Sequence, residues 1–273
     1  MSNEWEKLWR ELATSDIQTG SEGQEKMVER WRQVAQKLDS SKEEQTKSDT
    51  LLAFLLSRLE PDMTVLDVGA GIGRWTLPIA GVVRKVTAVE PLAGMRQVLL
   101  ERAKSLGVKN LSVVETPWME AKVPRHDVVI ASHSVYTSPD LLAFVRRMEQ
   151  KARRTCFLAL RVPAHDGVIG ELSQRIYGRW HDSANFIVGY NLLLSEGVYA
   201  NVIIEPKPAR VWYSPSLDDA LARAKKHLAI EDSRHDAAIR ALLSNRLKLV
   251  DGEYQWPDAM RSALVWWEPR RSP

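Results

Sequence analysis

Asp67 sits inside a short apolar run, Val65-Leu66-Asp67-Val68, and Gly69, Gly71 and Gly73 follow at alternate positions. Glu90 closes a second run, Val86-Thr87-Ala88-Val89. Apolar runs of this length, rich in β-branched residues, read as buried parallel strands. Glycines let the backbone approach a ligand closely and take conformations that a Cβ forbids. An acid at the tip of the next strand can accept both hydroxyls of a ribose. The chemistry implied is the holding of a nucleoside. The dinucleotide fingerprint G-x-G-x-x-G needs a third glycine at residue 74, and that residue is Arg.

Trp75, Ile79 and Val82 recur at helical spacing between the two runs, which completes a strand, glycine loop, helix, strand and acid in order. The stretch resembles motif I of the class I S-adenosylmethionine-dependent methyltransferases, [VL]-[LV]-[DE]-[VLI]-G-x-G-x-G, at every defined position. The resemblance spans roughly Thr50 to Pro163. It implies S-adenosyl-L-methionine as cofactor and a doubly wound, Rossmann-like, seven-stranded α/β sheet. It also implies roles for single residues. Gly69, Ala70 and Gly71, with Gly73 completing the loop, pass beneath the methionyl and ribose parts. Asp67 orients the cofactor's ammonium group or stabilises the loop. Glu90 takes the ribose. Pro91 and Leu92 follow it on the cofactor side, with Leu92 against the adenine. Thr116 stands where many members keep an acid for the adenine amino group, so that contact does not carry over directly. Trp118 either stacks on adenine or packs in the core, and Met119 offers its backbone amide.

The family places residues near the transferable methyl after its fourth strand, here Ala131-Ser132-His133-Ser134-Val135-Tyr136. Ser132 falls on the cofactor side. With the unshifted pKa of an imidazole, His133 is expected to take a proton near neutrality. Tyr136 can hydrogen-bond an acceptor. Arg161, after the fifth apolar run, either anchors a substrate carboxylate or forms a salt bridge at the sheet edge. His165 and Asp166 are nearby and open to either reading. No [DNS]-P-P-[YFW] follows the fourth strand, Cys156 lies inside a strand, and no acidic cluster marks a divalent-metal site. Small-molecule methylation remains by elimination, with no metal expected.

Positioning these residues takes an alternation of elements. Further strands are expected at 111–114, 126–131 and 156–160. Helices are expected at 42–59, 91–107 (with Gly107 as its cap) and 139–152. Strands alternating with helices imply a parallel sheet with right-handed crossovers. After Pro163 the rhythm changes: helices at 168–177, 184–194, 216–247 in two parts, and strands at 201–205 and 262–267 as the antiparallel close of the sheet. Before the core, Trp5, Leu8, Trp9 and Leu12 share one helical face, and Met27, Trp31, Val34 and Leu38 another. Residues 1–50 are thus an N-terminal helical extension that either packs on the core or serves as a lid. Residues 51–163 are the cofactor core, and residues 164–273 are substrate-side helices and closing strands of one domain.

At 273 residues the chain suits one large domain, and a formal charge of +3 with scattered Lys and Arg gives no nucleic-acid footprint. A single cysteine excludes an internal disulfide. The start, MSNEWEKLWREL, is charged and lacks the apolar region of a secretory signal, and no apolar run is long enough to span a bilayer. A cytoplasmic location and no membrane partner are the expectation, with a homodimer open. Two alternatives to the enzyme stand: a cofactor-binding regulatory protein with a partner interface built on Trp5, Trp9, Trp31, Trp266 and Trp267, and a nicotinamide-dependent oxidoreductase.

Overall fold

The structure, a computed structural model, describes residues 3–19, 29, 32, 49–164, 167–181, 183–206, 212–257 and 261–270. The first half of the chain runs α1 (Glu4–Thr19), α2 (Thr50–Leu56), β1 (Thr64–Val68), α3 (Thr76–Ala80), β2 (Lys85–Val89), α4 (Ala93–Ser105), β3 (Leu111–Val114), β4 (His126–Ser132), α5 (Leu141–Lys151) and β5 (Ala152–Val162). The second half adds α6 (Val168–Tyr177), α7 (Phe186–Ser195), β6 (Asn201–Ile204), β7 (Tyr213–Ser214), α8 (Leu217–His227), α9 (Asp236–Arg246), β8 (Lys248–Val250), β9 (Glu253–Gln255) and β10 (Arg261–Trp267).

The main sheet has seven strands in the order β3-β2-β1-β4-β5-β10-β6. β1 to β5 pair in parallel, and β10 lies antiparallel between β5 and β6. The strands are apolar on both faces because both are covered. Val65, Val128, Ile130, Phe157 and Ala159 face one cluster with Leu51, Leu55 and Ile79. Leu66, Val68, Val129, Ala131, Leu158 and Leu160 face the other, with Trp9, Leu141, Val145 and Leu192. The order reverses at β1, whose neighbours are β2 and β4, so the loops leaving β1 and β4 diverge around a crevice at the strands' carboxyl ends.

Several expectations need correction. The helix expected from Lys42 has its N-cap at Asp49, whose side chain accepts the Leu52 N–H, and its described helical turns begin at Thr50. Residues 42–48 and the second N-terminal helix, with Trp31, lie outside the described residues. The other tryptophans do not form an exposed interface. Trp9 is fully buried and its Nε1 donates to the Ser138 carbonyl at 2.9 Å. Trp267 is buried with Nε1 on Glu149, and Trp266 packs on Phe54 with ring centroids 4.7 Å apart. Trp5 is partly buried against the core. Among the described residues, Trp5, Trp9, Trp266 and Trp267 thus pack into the core instead of forming the interface expected of them.

The second half also holds a three-stranded sheet, β7-β9-β8, that was not expected. Its signal was present: Asp251-Gly252 joins β8 to β9, and both residues have positive φ, 49° and 85°. Asp-Gly between two short strands is the residue pair that a two-residue hairpin favours. The sheet and α8 and α9 bury a satellite core with α6, through Val168, Leu172, Ala224, Ile239, Leu243 and Trp256. The 216–247 helices are thus anchored to α6.

Trp9 tests whether α1 is part of the main core. Trp9→Ala should cost about 3–5 kcal/mol of stability, measured by urea unfolding. A loss below about 1 kcal/mol would instead mark α1 as a peripheral arm.

Candidate functional site

The loop from β1 to α3 carries three left-handed glycines, with φ +73° at Gly69, +56° at Gly71 and +81° at Gly73. Two of them are also closed in by neighbours. A Cβ at Gly69 would lie 2.3 Å from the Ser134 Cβ, and one at Gly73 would lie 2.4 Å from Leu99 Cδ1. At Gly71 a Cβ would meet nothing within 4 Å, so the space above this backbone is open. The Gly69 and Ala70 amides donate to the Val89 carbonyl at 2.8 and 3.2 Å. Glu90, next along β2, accepts from the Gly71 N–H at 2.8 Å and from the Leu92 N–H at 2.9 Å. The loop is therefore folded onto the end of β2, and Glu90 is 5% exposed. Burial raises its pKa, against the pull of the two amides and Arg96.

Asp67 lies beneath this loop, 2% exposed, with Oδ2 accepting from Thr76 Oγ1 at 2.6 Å. Burial pushes its pKa up to about 7, offset in part by Thr76, with Glu90 adding a like charge. Arg96 braces the rim by donating to the Glu90 and Pro91 carbonyls and pairing with Glu115 at 3.1 Å. Asp49 ties α2 to the residues after the loop, accepting from Arg74 at 2.8 Å and from Trp75 Nε1 at 3.1 Å.

At the end of β4, Ser132 is half-buried and His133 takes φ +54°, unusual for a residue with a side chain. The His133 N–H donates to the Ala159 carbonyl at 3.1 Å. Its Nδ1 lies 2.8 Å from the Tyr136 hydroxyl, which accepts from the Arg161 backbone N–H at 2.7 Å. The Arg161 guanidinium stacks 4.0 Å over the Tyr136 ring and donates from Nε to the Ala184 carbonyl at 2.8 Å. The structure therefore brings His133, Tyr136 and Arg161 into one chain of contacts. Burial, then Arg74 and Arg161, hold the His133 pKa down to about 4. We assign the hydroxyl hydrogen of Tyr136 to Nδ1, which leaves the ring proton on Nε2. In this arrangement His133 is neutral at pH 7 and offers a donor, which does not favour the expected proton acceptor.

The loop after β3 divides. Thr116 and Met119 are exposed, Met119 by 47%. Trp118 is 7% exposed and belongs to the core: its ring packs on Phe144 at 6.0 Å and beneath Arg147 at 5.0 Å. Of the two roles expected for it, the structure places Trp118 in the core one. Pro91 is exposed, and half-buried Leu92 packs with Ile72, Met95 and Val98. His165 and Asp166 lie outside the described residues. Sequence reading passed over Asp49, Thr76, Arg96 and Ser134. Only Asp49 had a local signal, as an N-cap residue just before Leu51-Leu52.

A family model described as a methyltransferase domain matches residues 32–189. An uncharacterized protein of Haemophilus influenzae is 25% identical over 222 residues, covering 78% of this chain and 79% of its own. Among solved structures, the YcgJ protein of Bacillus subtilis aligns with a TM-score of 0.53 at 15% identity, over 81% of this chain and 98% of that one. A putative methyltransferase of Bacillus halodurans gives a TM-score of 0.52 at 15% identity, over 79% of this chain and 96% of its own. At such identities the two structures establish a shared fold.

The raised pKa of Asp67 has a measurable consequence for stability. From an unfolded value near 3.8 to about 7 in the fold, ionisation opposes folding. Stability should therefore fall as pH rises from about 4 to about 7, by on the order of a few kcal/mol. Asp67→Asn keeps an acceptor for Thr76 and should lose this slope in urea unfolding across that window. An unchanged slope would show that Asp67 titrates normally.

Proposed function

The chain belongs to the methyltransferase-domain family and is an S-adenosylmethionine-dependent methyltransferase, and on that premise we propose that its acceptor is a small molecule bound beside His133, Tyr136 and Arg161. S-adenosylmethionine supplies an activated methyl group to a nucleophile. The residues at the loop fit such a cofactor: open space above Gly71, a buried carboxylate at Asp67, and a strand-end carboxylate at Glu90. Asp67 is the group to hold the ammonium, and Glu90 the group to accept from the ribose. Gly69, Ala70, Gly71 and Gly73 form the floor, with Pro91, Leu92, Thr116, Met119 and Ser132 along its rim.

The observation that carries the acceptor reading is a single junction. Ser134 packs on Gly69 and donates to the Val68 carbonyl at 2.5 Å, and the residue before it, His133, begins the chain of contacts to Tyr136 and Arg161. The cofactor floor and the polar cluster are thus adjacent. His133 presents Nε2–H to the acceptor, and Tyr136 and Arg161 fix the orientation of its ring. Much of the rate then comes from alignment and exclusion of water by the segments around the sheet. Fully buried Trp9 packs α1 onto the core.

Calorimetry with S-adenosylmethionine, S-adenosylhomocysteine and NAD should give binding of the first two, and binding of NAD alone would overturn the assignment. Glu90→Ala should weaken cofactor binding roughly tenfold or more. It should also lower the melting temperature, because Gly71 and Leu92 lose their acceptor. Unchanged affinity in a folded variant removes Glu90 from the site. Affinity for S-adenosylmethionine should rise from pH 5 to about pH 7 and then level off, since an ammonium beside Asp67 favours its ionised form. A flat profile places the ammonium elsewhere. His133→Ala should lower turnover by about tenfold, as expected for one lost hydrogen bond. A loss of roughly 10²–10⁴-fold would instead identify a general base.

A further inference from the structure

The two oxygens of the Asp67 carboxylate are treated differently by the fold. Oδ2 accepts from the Thr76 hydroxyl at 2.6 Å. Oδ1 has no hydrogen-bond donor among the described residues, although Asp67 is only 2% exposed. A buried carboxylate that lacks a donor on one oxygen is costly unless a ligand supplies it. Thr76 is the first residue of α3 and is itself fully buried. Its hydroxyl reaches across to the end of β1, nine residues back in the chain. A β-branched side chain has few rotamers, so the hydroxyl is held in that place.

We propose that Thr76 is a positioning residue for the cofactor: it holds Oδ2 of Asp67 and leaves Oδ1 as the oxygen that takes the ammonium. The inference rests on the S-adenosylmethionine reading above. A hydroxyl has one hydrogen to donate, and an ionised carboxylate only accepts. With Thr76 donating to Oδ2, the proton of a neutral Asp67 has its place on Oδ1. The ammonium and that proton therefore compete for one oxygen. When the ammonium meets neutral Asp67, the Oδ1–H bond breaks, the proton leaves to solvent, and an N–H···Oδ1 hydrogen bond forms. Thr76 also favours the ionised carboxylate, against burial and the like charge of Glu90 on the β2 side. The other elements around Asp67 bring little charge to it. α3 has no charged residue, and β4 sets Ile130 in register with Asp67. His133 beyond β4 is neutral at pH 7, and Arg74 of the glycine loop is paired with Asp49.

The test uses the full chain and two probes, S-adenosylhomocysteine and 5′-methylthioadenosine, titrated by calorimetry from about pH 5 to about pH 8. The first probe carries the ammonium, and the second has no amino-acid head. Thr76→Val keeps the shape of the side chain and removes the hydroxyl. It should weaken S-adenosylhomocysteine about tenfold at neutral pH and leave 5′-methylthioadenosine unchanged. The pH at which S-adenosylhomocysteine affinity levels off should rise by about one unit. Thr76→Ser should restore both. A double variant with Asp67→Asn guards against a fold defect in the single one: there Thr76→Val should cost less than about twofold in further affinity, because the group it positions is already gone. Equal weakening of both probes, an unmoved pH profile, no rescue by Thr76→Ser, or full additivity in the double variant would overturn the proposal and leave Thr76 a packing role. A wild type that binds neither probe would overturn the S-adenosylmethionine reading, and this inference with it.

Discussion

The carboxylate of Glu90 holds the site together. It stands at the end of one strand and accepts from the backbone of the loop that leaves the next, at Gly71, and from Leu92 at the start of α4. Buried backbone amides must find an acceptor, and one side chain here serves two. The glycine loop can then take three left-handed conformations in a row of alternate residues without a regular ladder to support it. A carboxylate spent in this way retains lone pairs for further donors. Structural brace and ligand group are therefore combined in one residue, and its removal disturbs both.

The second constraint is steric. Ser134 lies so close to Gly69 that no side chain fits between the β1 and β4 loops. That contact sets the spacing of the two loops on which the site is built. His133, next to it, sits in a conformation that costs about 1–3 kcal/mol for a residue with a Cβ. Its ring is held by Tyr136, and Tyr136 by the backbone of β5 and the guanidinium of Arg161. Strain of this kind persists where surrounding contacts over-determine the position.

How much of this was legible in the sequence differs by kind of signal. Strands that are apolar on both faces declare themselves, and Val65 to Val68 and Val86 to Val89 lie where their residue types place them. The glycine loop and Glu90 were legible because backbone conformation and ligand approach demand particular residue types at fixed spacing. Tryptophans mislead: an indole suits a core, an interface or a base equally well, and Trp9, Trp118 and Trp267 are buried by residues distant in the chain. The bonds of Thr76 to Asp67 and Asp49 to Arg74 depend on tertiary placement and have no local pattern. The β8–β9 hairpin is a different case, since Asp251-Gly252 was a readable turn between two very short strands.

The position of β10 has a consequence for how the chain reaches its fold. This strand, Arg261–Trp267, occupies the gap between β5 and β6, which precede it by about a hundred and about sixty residues. Until it arrives, the β5 edge carries unpaired amides and carbonyls flanked by Phe157, Leu158 and Leu160. Closing that gap is a contact of high sequence separation, and such contacts are slow to form. During synthesis on the ribosome, β1 to β5 emerge before β10, and the β5 edge stays unpaired until β10 follows. An apolar, unpaired strand is a template for other chains. The nascent protein therefore passes through an interval in which its yield depends on translation rate and on chaperones that shield strand edges.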